Sequence, residues 1–235
     1  MNKALGISAV VLSLSAVAPA QAATFIYTPG SDTVFANSSQ LPNAGDRVAT
    51  FPGGAGTAVS FGPGSFVVTP PPGSVGGQYA QPAFSDASPY LVVQGGANTS
   101  ATVSATGGVG FNNLSLFLGS IDTYNTIDLL STTGALIQSF TGTQILNVTG
   151  GTSGNQTTAN TNGLITFSRS GADALFGGVT FRSSENSAEV ENVRFLNAGV
   201  PEPATWAMML IGFGILGAGM RRKEQPNVRG RVSFA

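Results

Sequence analysis

Between residues 24 and 199 the only charged side chains are nine carboxylates and four arginines: Asp32, Asp46, Asp86, Asp122, Asp128, Asp173, Glu185, Glu189 and Glu191 against Arg47, Arg169, Arg182 and Arg194. Asp122 with Asp128, or Glu189 with Glu191, offers the two carboxyl groups a glycoside hydrolase needs. Glu189 and Glu191 are two apart, so on a strand they share a face. With Asp122 they are the candidate calcium ligands, since oxygen is the only kind of ligand this stretch supplies. Otherwise these residues read as exposed carboxylates on a sheet. A glycosidase pocket also needs aromatic platforms and several polar anchors, and this stretch has no tryptophan. The reading is therefore a protein with no catalytic residue and no cofactor.

The rest of the composition narrows the chemistry further. The chain has 235 residues with no histidine and no cysteine, and its two lysines, Lys3 and Lys223, lie near the ends. Thiol nucleophiles, Ser-His-Asp triads, zinc and iron–sulfur sites and disulfides are excluded. A Schiff-base lysine or a P-loop in the middle is excluded too. Four positive against nine negative residues leave residues 24–199 at −5, so nucleic acid is an unsuitable partner. Tyr79, Tyr90, Tyr124, Asn113 and Asn125 are the groups suited to meeting a sugar, which keeps a lectin-like module as the alternative. Ice binding needs a regular threonine array, and Thr99, Thr102 and Thr106 have no constant step.

These side chains must be positioned by strands. Short apolar or alternating runs are separated by Gly, Pro, Asn and Ser: residues 47–51, 58–61, 65–69, 90–94, 101–105, 111–118, 126–130, 136–141, 144–148, 164–168, 178–182 and 189–196. In the last run Val193 and Phe195 face one way, and Asn192 and Arg194 the other, toward solvent. The expected fold is all-β, an antiparallel β-sandwich of jelly-roll type over residues 23–199. Residues 62–82, rich in Pro and Gly, and residues 149–162 read as long polar loops.

Both ends read as targeting segments. Met1-Asn2-Lys3, an apolar run to Val17 and small residues at Ala18, Ala20 and Ala22 form a signal peptide, residues 1–22, cleaved after Ala22. Its partners would be the secretion translocon and signal peptidase. Ala204 to Met220 is an uncharged run of 17 residues, roughly 25 Å as a helix. The basic cluster Arg221-Arg222-Lys223 and a short basic tail, residues 224–235, follow it and would stay cytoplasmic. A single C-terminal transmembrane helix is thus expected.

Pro201-Glu202-Pro203, then Trp206-Ala207, the apolar run and Arg221-Arg222-Lys223 resemble a PEP-CTERM sorting signal of the PEPxxWA type, residues 200–223. The resemblance implies an exosortase that recognises Pro201-Glu202-Pro203, cuts near it and removes the anchor. Two prolines hold the chain extended, which presents Glu202 as a single charged handle. The segments Phe117–Thr126, Ser139–Gly142 and Val179–Val193 are similar to parts of exosortase-dependent surface proteins, which implies a β-sandwich and no established catalysis. The expectation is an exported surface or matrix protein, structural or adhesive, with exopolysaccharide or another glycan as partner.

Overall fold

A computed structural model describes residues 23–30, 45–51, 54, 56–71, 73–171, 173–196, 209, 211–214 and 217. The chain divides into two compact units, residues 1–196 and 197–235.

The first unit is built from twelve strands: β1 Ala23–Pro29, β2 Arg47–Ala49, β3 Thr57–Phe61, β4 Ser65–Val68, β5 Tyr90–Val93, β6 Ser100–Ala105, β7 Asn113–Gly119, β8 Asn125–Ser131, β9 Leu136–Thr141, β10 Gly163–Arg169, β11 Phe176–Ser183 and β12 Ala188–Leu196. Among the described residues they form a seven-stranded sheet, ordered β1-β10-β7-β12-β5-β4 with β2 also on β12, and a five-stranded sheet, ordered β3-β6-β11-β8-β9. All of these pairings are antiparallel. The expected all-β class and two-sheet architecture are both present.

One core lies between the sheets. Leu114, Leu116 and Leu118 of β7, Phe167 of β10, and Val190, Val193 and Phe195 of β12 share it with Val103 of β6, Val179 and Phe181 of β11, and Ile127 and Leu129 of β8. Phe140 of β9 stacks against Phe25 of β1 and Phe167 at ring-centroid distances of 5.4 and 5.0 Å, closing one edge. Alternation along β5 sends Leu91 and Val93 into this core and Tyr90 and Val92 to the other face of the sheet. There they join Val68, with Phe66 and Tyr79 packed against them. This second cluster ties down part of the 62–82 segment, which also contains β4.

Strand β12 departs from simple alternation. Val190 and Val193 both enter the core although three positions separate them, because the pairing with β7 gains one residue between Glu191 and Arg194. Asn192 takes a positive φ of 48° there, and the bulge resets the parity of the strand. Val193 and Phe195 do share the inward face. The expected solvent face is corrected: Asn192 and Arg194 are 1% and 0% exposed, since β12 is central in its sheet and covered on both sides.

Two elements differ from the sequence reading. Residues 144–148, expected as a strand, belong to the helix α1 Gly142–Thr149. Thr141 and Gln144 form a reciprocal capping box, and Gly150 ends the helix in the left-handed region at φ 68°. Thr141-x-x-Gln144 and Gly150 were visible in the sequence, but a short apolar run cannot be assigned by periodicity alone. Strand β1 was not singled out. Its Phe25 and Tyr27 turn inward while Ile26 is exposed, and it forms an edge by pairing along its whole length with β10.

In the second unit Met209, Ile211–Gly214 and Gly217 are helical. Among the described residues no helix is long and apolar enough to cross a membrane. The expected signal peptide with Ala20 and Ala22, the motif residues Pro201, Glu202, Pro203, Trp206 and Ala207, the cluster Arg221, Arg222 and Lys223, and most of the run 204–220 lie outside the described residues.

Candidate functional site

The end of β7, the residues entering β8, the 149–162 loop, the 73–82 segment and the turn into β12 converge on a polar cleft of about 130 Å³. Its wall carries Asp122 and Glu189, the rings of Tyr79 and Tyr124, and the exposed amides of Gln78, Gln156 and Asn186. Ser120, Ser187, Gly77 and Gly154 complete it.

Glu189 is 2% exposed. The hydroxyl of Ser120 donates to its Oε2 at 2.8 Å, while the Ala80 N–H at 3.1 Å and the Ser187 hydroxyl donate to its Oε1. Burial still pushes its pKa above the usual carboxylate range, with these three donors pulling down and the Asp122 charge adding to the rise. Asp122, 5% exposed, accepts from Ser153 Oγ at 3.0 Å. Its pKa is also raised, first by burial; the Tyr124 and Ser153 hydroxyls oppose the rise and Glu185 adds to it.

Two buried asparagines hold this arrangement. Asn125 Oδ1 accepts from the Asp122 N–H at 2.8 Å, and its Nδ2 donates to Ser183 Oγ at 3.0 Å and to the Ser187 carbonyl at 3.3 Å. Asn162 Oδ1 accepts from the N–H groups of Ser120 and Ala83 at 2.9 and 3.2 Å. Its Nδ2 donates to the carbonyls of Asn155 and Thr158 at 3.1 and 3.0 Å, so one side chain joins three chain segments. At Gly154, φ is 70° and a Cβ would lie 2.7 Å from Asp122 Oδ1, so the loop approaches the carboxylate only with glycine there.

The rings are fixed as well. Tyr79 packs edge-on to Phe66 with centroids 5.4 Å apart. The Tyr124 hydroxyl donates to the Asn186 carbonyl, and Asn186 is pinned in turn, accepting from the Gly95 N–H at 2.9 Å and donating to the Gly77 carbonyl at 3.2 Å.

Asp122, Glu189, Tyr79 and Tyr124, singled out in the sequence, therefore meet, with Asn125 beneath them. Neither expected carboxylate pair is the one the fold assembles. Asp128 lies in the other sheet, where it bonds to Arg182 at 2.6 Å and accepts from Ser139 Oγ at 2.6 Å. Glu191 is fully buried and does not line the cleft. The alternative of exposed carboxylates is corrected too, since Asp122, Asp128, Glu189 and Glu191 are all 5% exposed or less. Among the described residues no three His, Cys, Asp or Glu side chains gather as a metal-binding group. Tyr90 belongs to the second apolar cluster, and Asn113 bonds to Ser168 Oγ at 2.7 Å at the far end of β7, about 20 Å along the strand from Gly119.

Asn162, Ser120, Ser187, Gln78, Gln156 and Asn186 were missed. Only Asn155 to Asn162 carried a local signal, an Asn- and Thr-rich stretch whose side chains fold back on its own backbone.

The family model described as the PEP-CTERM protein-sorting motif matches residues 199–223. This chain carries a PEP-CTERM sorting motif. The PEP-CTERM motif implies an exported protein whose membrane-associated precursor has an exosortase as processing partner. No curated protein matches the chain. A solved structure similar to it is the family 11 carbohydrate-binding module from Clostridium thermocellum in complex with a β-1,3-1,4-mixed-linked tetrasaccharide. It is 14% identical, covers 66% of this chain and 98% of its own, and superposes with a TM-score of 0.30. That score is too low to relate the two folds.

Proposed function

We propose that this protein is the precursor of a bacterial surface or extracellular-matrix component, delivered as one β-sandwich and processed at both ends. The match at residues 199–223 carries the reading. In it, residues 1–22 direct the chain to the secretion translocon and are removed by signal peptidase after Ala22. Residues 204–220 hold the precursor in the inner membrane, with Arg221, Arg222, Lys223 and residues 224–235 on the cytoplasmic side. An exosortase cuts near Pro201-Glu202-Pro203, which frees residues 23–199 for a structural or adhesive role in a biofilm or exopolysaccharide layer. Replacing Pro201, Glu202 and Pro203 by alanine leaves full-length protein in the membrane fraction on immunoblots; normal shortening and release of that variant would contradict the reading.

A second reading, glycan binding by the β-sandwich, is favoured by one observation: two fixed tyrosine rings, two carboxylates and three amides line the same cleft. Rings offer a platform to the C–H face of a sugar, and carboxylates and amides offer acceptors and donors to its hydroxyls. Catalysis is the weaker use of the same groups. Glu189 has both oxygens engaged by protein donors, which suits a fixed acceptor better than a group that must exchange a proton with substrate.

A further inference from the structure

We propose that the Asp122–Glu189 cleft is charge-selective: it takes an uncharged saccharide unit and turns away acidic ones such as uronic acids. The inference rests on the glycan-binding reading and adds the ligand class that the geometry selects.

Among the described residues, the acidic and basic side chains acting at the cleft are all carboxyl groups. Asp122 and Glu189 lie in its wall, Glu185 acts on Asp122 from the turn before β12, and among the described residues no arginine lines it. The neighbouring Arg182 belongs to β11 and is engaged with Asp128 at 2.6 Å. A carboxylate or sulfate entering would be desolvated beside two buried carboxyl groups, with no arginine or lysine among the described lining residues to meet it. A neutral sugar brings hydroxyl donors instead, which carboxylate oxygens accept. The rim amides of Gln78, Gln156 and Asn186 supply both donors and acceptors.

Size and rigidity agree. A volume of about 130 Å³ is several times the roughly 10–15 Å³ needed by one water, and suits one sugar unit at a chain end or branch. Tyr79 is ordered by Phe66, and Tyr124 by the Asn186 carbonyl, so binding freezes few side chains. A cation is the other visitor a negative cleft could take. Glu189 already receives three protein donors, and among the described residues no third carboxylate joins the pair, so the carboxylates are set as hydrogen-bond acceptors rather than a chelate.

The test is a glycan array with the full chain in detergent, run once with calcium and once with a calcium chelator. It carries neutral oligosaccharides of glucose, galactose and mannose beside uronic-acid oligosaccharides of matched length, and Asp122→Asn is run in parallel. The expected result is binding of a neutral member at least about tenfold tighter than its acidic counterpart, with the gap narrowed in Asp122→Asn. Asp122→Asn is near in shape, and its melting temperature separates misfolding from altered selection; Gln156→Glu, at an exposed rim position, should widen the gap without touching the core. Equal binding of both classes, binding that requires calcium, or a gap unmoved by both variants overturns the selectivity while leaving glycan binding in place. Binding of neither class overturns both.

Discussion

Asp122 and Glu189 are buried in one cleft, and this sets a pH dependence with a definite sign. Both carboxylates are held above their usual range, in each case first by burial. A carboxylate raised in this way binds more protons folded than unfolded. Its stabilising contribution is complete below the unfolded pKa of about 4 and is lost as pH rises through the native value. The melting temperature of the protein therefore rises as pH is lowered from 7 toward 5, and Asp122→Asn raises it at pH 7 while flattening the slope. A melting temperature that falls over that interval would refute the assignment. The carboxylates and tyrosines of the site were legible in the sequence one at a time, because both are scarce in so uncharged a chain. Their partnership was not, since Ser120 and Glu189 are 69 positions apart and meet only when β7 and β12 pair. Hence Asp122 was matched with nearby Asp128, which the fold commits to Arg182.

At the scale of elements, strands bounded by Gly-rich turns were read within a residue or two wherever alternation ran clean, as in β9 Leu136–Thr141 and β11 Phe176–Ser183. The failures have physical causes. In α1 the apolar run Ile145-Leu146 is shared by strand and helix patterns, and the capping box decided it. Thr141→Ala is expected to cost about 1 kcal/mol in urea denaturation, and an unchanged midpoint would show the cap to be dispensable. In β12 the bulge reverses alternation within a single strand, which no period-2 reading can anticipate. The edge strand β1 begins at Ala23, the residue that cleavage after Ala22 would make the first of the mature chain. Ala23 is fully buried, and its backbone nitrogen donates to Gln138 Oε1 at 2.8 Å across to β9. Gln138→Ala removes that acceptor and is expected to lower stability by about 1–3 kcal/mol, while Gln138→Glu, which keeps the oxygen, loses less. Equal losses in the two variants would mean that the contact is incidental. Phe167, packed against both Phe25 and Phe140, has the larger stake: Phe167→Ala should cost about 3–5 kcal/mol.

For the whole molecule, scarcity of charge separates into two parts with different meanings. The hydrophobic ends flank an acidic, hydroxyl-rich stretch, residues 24–199 at −5, that lacks lysine, histidine, cysteine, methionine and tryptophan altogether, and the sorting motif lies at the C-terminal end. The sorting motif is short and contiguous, which is why residues 200–223 could be read directly and why the family match falls on nearly the same stretch. The candidate cleft was not written that way, because it is assembled from four segments that are distant in sequence. The central claim, export followed by processing at both ends, is tested most directly by intact-mass and terminal-peptide mass spectrometry of the mature protein from its native host. The account predicts a chain that starts at Ala23, ends close to Pro201-Glu202-Pro203 and yields no peptide from residues 204–235. A mature protein that still carries Trp206 and Arg221-Arg222-Lys223 would contradict it.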